Sequence, residues 1–302
     1  MEPLNQPSRN YDSISPSAKA LLLLKSHTNI PFARQAATLS MLPEHYEPDF
    51  TRREPGFWTR VVHFEVRYSS IDELLSDSRS KNIIELSSGF SFRGLALTRD
   101  RELNYVDTDL PHLIDTKKQY VEALSKDLPA PRGHLETRPL NALDEAGFMD
   151  IVDTLPEGEV TIVNEGLLMY LGMEEKETLC RIIRKVLQRR GGSWITADIY
   201  LKGRRRIAEL EQGDTLKEFL EKHHVEDNMF ESFDDATALF NRMGLTVDKE
   251  AAPDYSTMSA IGYLMASMTP GLLDKLREVG KVHATWRLRA APSTPISGSS
   301  PD

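Results

Sequence analysis

Glu85, Asp107 and Asp109 lie at the ends of two apolar runs joined by a tight turn, a spacing that can bring carboxylates to the edge of a sheet. Residues 82–109 read as strand, turn, helix, strand. Ile83, Ile84 and Leu86 form a short apolar run suited to a strand buried on both faces. Gly89 lets the backbone turn closely where a Cβ would obstruct, and Phe92, Leu95 and Ala96 follow at helical spacing. Asp109 comes 20 residues after Gly89, with Asp107 two residues before it on the same strand face. A carboxylate there can accept hydrogen bonds from both hydroxyls of a ribose lying across the strand ends.

The glycine pattern narrows the kind of ligand. A nicotinamide fingerprint needs G-x-G-x-x-G, whereas this turn has Ser87 and Ser91 around Gly89, with Gly94 beyond. That disfavours a pyrophosphate pressed on the helix N-terminus. Glu85 ahead of the turn would repel a pyrophosphate but could hold an ammonium. S-adenosylmethionine has that ammonium, a ribose, an adenine and no phosphate. A strand-turn-helix with no ligand stays open from this stretch alone.

The rest of the chain must position these groups. Its 302 residues suffice for one large α/β domain or two small ones, and a formal charge of −9 disfavours nucleic acid as a partner. Cys180 is the single cysteine, so an internal disulfide and a multi-cysteine zinc site are excluded, and it reads as an inert core residue. No metal-ligand motif is present. The start lacks a positive n-region and an apolar h-region, and no apolar run is long enough to span a bilayer. A soluble cytoplasmic protein with no membrane partner is expected.

Helical patterns are predicted from Ser15 to Ser26, from Pro31 to Leu42 and over 57–77, a segment of about eighty residues that could cover the opening of the fold. Beyond Asp109 a Leu-Pro pair starts a helix, strands are predicted at 134–140, 159–166 and 193–200, and helices at 144–152 and 174–190. Acids open the last of these helices, arginines close it and Gly191-Gly192 ends it. This alternation predicts an α/β fold with a mainly parallel sheet covered on both faces. Residues 201–232, with Arg204, Arg205, Arg206, His223 and His224, break the alternation and read as an insertion above the strand ends. A helix over 233–243, a strand at 245–250, two short helices within 256–280 and a strand at 284–290 complete the domain of 81–291, before a tail at 292–302 predicted to be disordered.

Ser-Ala-Lys at 17–19 with Pro31-Phe32, Val66-Arg67-Tyr68 with Ile71-Asp72, the turn from Glu85 to Gly89, Tyr105 to Pro111 with Lys117, and Asn164 to Leu171 are the matching stretches of a resemblance that extends over most of residues 15–200. With these segments the chain resembles the leucine carboxyl methyltransferase family, which includes bacterial O-methyltransferases associated with polyketide biosynthesis. The resemblance implies a class I methyltransferase fold: a Rossmann-like seven-stranded sheet with the last strand antiparallel and helical additions over the active site. It further implies that Lys19 and Arg67 hold the cofactor's methionine carboxylate, that the turn through Glu85, Ser87 and Gly89 passes under the methionine portion, and that Asp109 takes the ribose hydroxyls. Asn141 and Ala142 stand where the family has an Asp-Leu pair beside the adenine, and Glu165 stands near the amino group. Ser87 departs from the family's usual glycine, and Asn141 keeps hydrogen-bonding ability without the charge.

Each residue also has a plainer reading. Arg67 beside Glu65 and Asp72 could be a solvated ion pair, Lys19 a solubilising surface residue, and Tyr170 a core residue. Glu165 resists such a reading, because a carboxylate ending an apolar strand is costly to bury unpaired, and a cationic cofactor would be a partner. For transfer to a small-molecule acceptor, a carboxylate needs only a clamp, such as Arg204, Arg205 or Arg206. A hydroxyl, with a phenol pKa of about 10, would use a base such as His112, His223 or His224. Tyr170, Arg205 and His223 are the candidate catalytic groups. The reaction expected is in-line methyl transfer to oxygen; the alternatives are a non-catalytic adenosyl-binding or interaction protein and a nicotinamide oxidoreductase.

Overall fold

Apolar groups on both sides of β1 (Asn82–Leu86) require cover on both faces, and this strand lies in the interior of the sheet with all five residues buried. The computed structural model describes residues 15–202 and 225–292. The strands β2 (Asn104–Asp109), β3 (His134–Pro139), β4 (Val160–Asn164), β5 (Gly192–Tyr200), β6 (Leu245–Glu250) and β7 (His283–Ala290) complete one seven-stranded sheet in the order β3-β2-β1-β4-β5-β7-β6. Six strands share a direction and β7 opposes both neighbours. This is the seven-stranded sheet, antiparallel last strand included, that the resemblance implied. The chain runs outward from β1 to β3, then returns to β4 on the other side of β1. The strand order therefore reverses between β1 and β4, and the crevice beyond their carboxyl ends is where open α/β sheets bind ligands.

Among the described residues ten α-helices surround the sheet: α1 (Ser15–Lys25), α2 (Ala33–Met41), α3 (Pro55–Ser76), α4 (Arg93–Asp100), α5 (Pro111–Ser125), α6 (Glu145–Thr154), α7 (Met173–Arg190), α8 (Phe233–Arg242), α9 (Ile261–Ser267) and α10 (Pro270–Val279). On one face Ile151, Ile183, Val186, Trp194 and Phe240 form the main core between α6, α7, α8 and the strands. On the other, Ile71, Leu74 and Leu75 of α3 pack with Ile83, Val163 and Ile195. Thus α3 belongs to the layer over the sheet, while α1 approaches the β1 turn: a Cβ built on Gly89 would meet the Ala18 Cβ at 3.6 Å. Glu65 of α3 is buried and accepts hydrogen bonds from the backbone of Ser259 at 2.7 Å and Ala260 at 3.0 Å, fastening α3 to the segment before α9.

Some boundaries moved for local reasons. Helix α2 begins at Ala33 because Phe32 has a left-handed φ of 64°. Strand β5 begins at Gly192, where φ is 97° and a Cβ would sit 2.1 Å from the Val160 carbonyl oxygen, so the pairing with β4 needs glycine. Pro270 lies inside the first turn of α10. Of the predicted insertion, residues 203–224 lie outside the described residues. Its ends meet: the Phe230 N–H donates to the Tyr200 carbonyl at 2.9 Å and the Lys202 N–H to the Phe230 carbonyl at 2.8 Å. The tail beyond residue 292 also lies outside them. Among the described residues no helix is long and apolar enough to cross a membrane.

Candidate functional site

The turn after β1 is fastened to β2 by polar groups of both. Ser87 has φ 49° and Gly89 φ 48°, left-handed values that cost a non-glycine residue roughly 1–2 kcal/mol. The Ser88 N–H donates to the Thr108 carbonyl at 2.9 Å, and the Thr108 hydroxyl to the Glu85 carbonyl at 2.9 Å. Lys117 of α5 donates to the Ser88 hydroxyl at 2.8 Å and pairs with Asp107 at 2.9 Å, all three side chains being buried. Burial pushes the Asp107 carboxyl up against the opposing field of Lys117, so Asp107 is a structural partner. Asp109, two residues on, is differently placed. Its carboxylate accepts the Gly89 N–H at 2.7 Å and the Leu110 N–H at 2.7 Å, at the carboxyl end of β2. Burial raises its pKa, opposed by those two donors. One strand further out, past β3, Ala142 is buried and Asn141 exposed, the Asn141 Oδ1 accepting the Leu143 N–H at 3.0 Å.

At the reversal of strand order a second group of charges meets. The Glu165 side chain, 5% exposed, pairs with Lys25 of α1 at 2.8 Å and lies 3.6 Å from both Arg67 Nη2 and Arg93 Nη2. Burial alone would raise its pKa, but Lys25, Arg67 and Arg93 outweigh it and hold the carboxyl at about 2. Glu85, 1% exposed, accepts the Tyr105 hydroxyl at 2.6 Å and has Arg93 Nε at 3.9 Å. Arg93 is fully buried; it also pairs with Asp72, donates to the Tyr68 carbonyl at 3.2 Å and stacks over the Tyr68 ring at 3.7 Å. Asp198 of β5 accepts N–H groups from Gly166, Leu167 and Leu168 at 2.6, 2.7 and 3.0 Å, which fixes the backbone just after Glu165. Within this tight arrangement Nε and Nη2 of Arg67, Nε and Nη2 of Arg93, and one oxygen of Glu165 have no hydrogen-bond partner among the described residues.

A third group closes the carboxyl end of β5. The Tyr200 hydroxyl lies 2.7 Å from His63 Nε2 and accepts from Arg67 Nη1 at 2.9 Å. The His283 ring packs tilted against Tyr200, centroids 4.5 Å apart, and bonds the Ala197 carbonyl at 2.8 Å. Burial keeps His63 well below its ordinary pKa and takes His283 down to about 3, so both rings are neutral at pH 7.

The structure thus brings Arg67, Glu85, Ser87, Gly89, Asp109 and Glu165 to one end of the sheet, with Asn141 and Ala142 at its β3 side. Arg67 is 2% exposed and bonded to buried groups, which removes the solvated-pair reading; Asp72 is engaged by Arg93 and Glu65 by residues 259–260. Lys19 is not brought to Arg67: it is exposed and donates to the Ser40 carbonyl at 2.8 Å, while Lys25 stands at Glu165. Chain cations already face both Glu165 and Glu85, with one Glu165 oxygen left without a hydrogen-bond partner among the described residues. Tyr170 is buried among Val225 and Met229, with its hydroxyl 3.5 Å from Ser17. Arg204, Arg205, Arg206, His223 and His224 lie outside the described residues, and His112 is exposed on α5. Lys25, Arg93, Asp198, His63 and Tyr200 were missed. Asp198, inside the apolar run Trp194–Ile199, carries the same signal that singled out Glu165.

No family model matches the chain, and no curated protein is significantly similar to it. Solved structures similar to it include LepI in complex with SAM, 10% identical over 85% of this chain and 52% of that one, with a TM-score of 0.43. The chain therefore spans about half the length of LepI. A magnesium protoporphyrin IX methyltransferase from Synechocystis with bound SAH is 9% identical over 85% and 95% of the two chains, TM-score 0.45. A DUF574 family protein from Streptomyces avermitilis is 14% identical over 90% and 97%, TM-score 0.49. At these identities residue roles rest on the geometry of this chain alone.

Proposed function

We propose that this protein is an S-adenosylmethionine-dependent methyltransferase acting on an oxygen of a small-molecule acceptor. The observation that carries the reading is Asp109: a carboxylate at the carboxyl end of β2, one strand from the reversal of strand order, bonded to the Gly89 N–H in the turn after β1. The residues present fit the adenosyl and carboxylate parts of such a cofactor. Asp109 would hold the ribose, the loop at Asn141 and Ala142 would flank the adenine, and the unpartnered nitrogens of Arg67 would take the tail carboxylate. When bound, the cofactor supplies an electrophilic methyl on a sulfonium. The chain's part is alignment. The Tyr200 hydroxyl, held by His63 Nε2 at 2.7 Å and by Arg67 Nη1 at 2.9 Å, would orient an acceptor oxygen, and burial, which keeps His63 well below its ordinary pKa, makes that ring a positioning group rather than a base. A carboxylate acceptor needs no base at pH 7.

Calorimetric titration with S-adenosylmethionine and S-adenosylhomocysteine, with NADH as control, tests the cofactor. Binding of the first two alone is expected, followed by turnover in a screen of acids and phenols. Failure of both to bind would sink the reading. A second reading, an adenosyl-binding protein without turnover, is favoured by the left-handed serine at 87 and by the internal partners of Glu85 and Glu165. It predicts binding with no methylated product across the screen.

A further inference from the structure

The two carboxylates best placed to hold an ammonium at the crevice are Glu85, at the end of β1, and Glu165, just past the end of β4. Arg93 lies between them, with Nε 3.9 Å from Glu85 and Nη2 3.6 Å from Glu165, and Lys25 completes Glu165 at 2.8 Å. We infer that Arg93 and Lys25 occupy the place of the ligand's ammonium, so that the site recognises adenosyl thioethers through ribose and tail carboxylate and does not require the amino group. This rests on the adenosyl-cofactor reading and specifies which part of the tail is read.

Arg93 is not poised to leave. It is fully buried, paired to Asp72, bonded to the Tyr68 carbonyl and stacked on the Tyr68 ring, so withdrawing it would strand Glu85 and Asp72 together. Nor does another carboxylate stand free nearby. Asp198 is filled by three backbone N–H groups and the Asn164 amide, and Asp107 is paired with Lys117. Among the described residues Arg67 Nε has no hydrogen-bond partner and Arg67 Nη2 has only carboxylate oxygens at 3.5 and 3.6 Å, and a ligand carboxylate is the group that would satisfy such guanidinium nitrogens with charge-assisted bonds.

The test is a calorimetric series on the full chain with four probes. These are S-adenosylhomocysteine, its des-amino analogue 5′-S-(3-carboxypropyl)-5′-thioadenosine, its decarboxylated analogue 5′-S-(3-aminopropyl)-5′-thioadenosine, and adenosine. The des-amino probe is expected to bind within about threefold of S-adenosylhomocysteine, and the decarboxylated probe at least about tenfold more weakly. A loss of about tenfold or more for the des-amino probe overturns the inference and leaves the methyltransferase reading standing. Absence of S-adenosylhomocysteine binding overturns both. In Arg93→Met the freed Glu85 and Glu165 should make the amino group matter, so the des-amino probe falls about tenfold behind S-adenosylhomocysteine; unchanged discrimination overturns the role of Arg93. Should that variant not fold, Lys25→Met asks the same question at Glu165, and the wild-type series decides alone.

Discussion

Asp109 and Glu165 are both buried carboxylates at strand ends, yet their surroundings set them opposite tasks. Asp109 accepts one backbone N–H on each oxygen, which leaves each oxygen a lone pair for a ribose hydroxyl. Asparagine can accept only one of these two N–H groups and turns its amide nitrogen toward the other, so Asp109→Asn is expected to weaken S-adenosylhomocysteine about tenfold in calorimetry and to lower stability by about 1–3 kcal/mol in urea unfolding. Glu165 is held at about 2 by Lys25, Arg67 and Arg93, below the ordinary carboxylate value near 4.3 of an unfolded chain. A depressed folded-state pKa contributes stability that is complete above the unfolded value and lost as pH falls through the folded one. Urea unfolding between pH 5 and pH 2 should therefore show a loss of about 3 kcal/mol from this group, and Glu165→Gln should flatten that part of the profile. Ser87→Gly should raise stability by a few tenths to about 1 kcal/mol in the same assay, since glycine relieves the left-handed φ but adds entropy to the unfolded chain. Asp109 and Glu165 could be found in the sequence because a carboxylate closing an apolar run is costly to bury alone. Lys25 could not: Lys19 and Lys25 stand on the same helix, and which of them turns inward depends on how α1 docks.

His63, Arg67 and Asp72 all lie on α3, and the first two are four residues apart on one face, so a single helix supplies groups to the Tyr200, Glu165 and Arg93 contacts. Removing Arg67 leaves Glu165 and Asp198 short of a cation; Arg67→Met is expected to cost about 3–5 kcal/mol by chemical denaturation, and Arg67→Lys clearly less. The junction of α7 and β5 is equally exacting. Gly192→Ala would put a methyl against the Val160 carbonyl at a backbone angle alanine avoids, and a cost of about 3 kcal/mol or more is expected. Helices and strands were legible in the sequence because their periods of 3.6 and 2 are local properties. The placement of Pro270 inside α10 and the left-handed Phe32 depend on neighbours that periodicity does not contain.

At the scale of the molecule, the sheet order and the opposed β7 were implied by resemblance rather than by any local pattern, since strand order is set by contacts remote in sequence. The return of the chain at Phe230 to the strand it left at Tyr200 has a practical consequence. Replacing residues 203–224 with a short Gly-Ser linker should leave the unfolding midpoint and S-adenosylhomocysteine affinity within error of the full chain, and abolish turnover of any acceptor found in the screen.

The fastening of α3 by Ser259 and Ala260 sets an order of events during synthesis. Glu65 leaves the ribosome 194 residues before the first donor that holds it. Until then α3 carries a carboxylate destined for burial but lacking those partners, and β5 lacks the neighbour that β7 will provide. Helix α3 can form early, but its Glu65 gains these donors only once the segment around residue 259 emerges. A ribosome stalled near residue 255 should therefore present a nascent chain still open to protease, with protection arriving late and all at once.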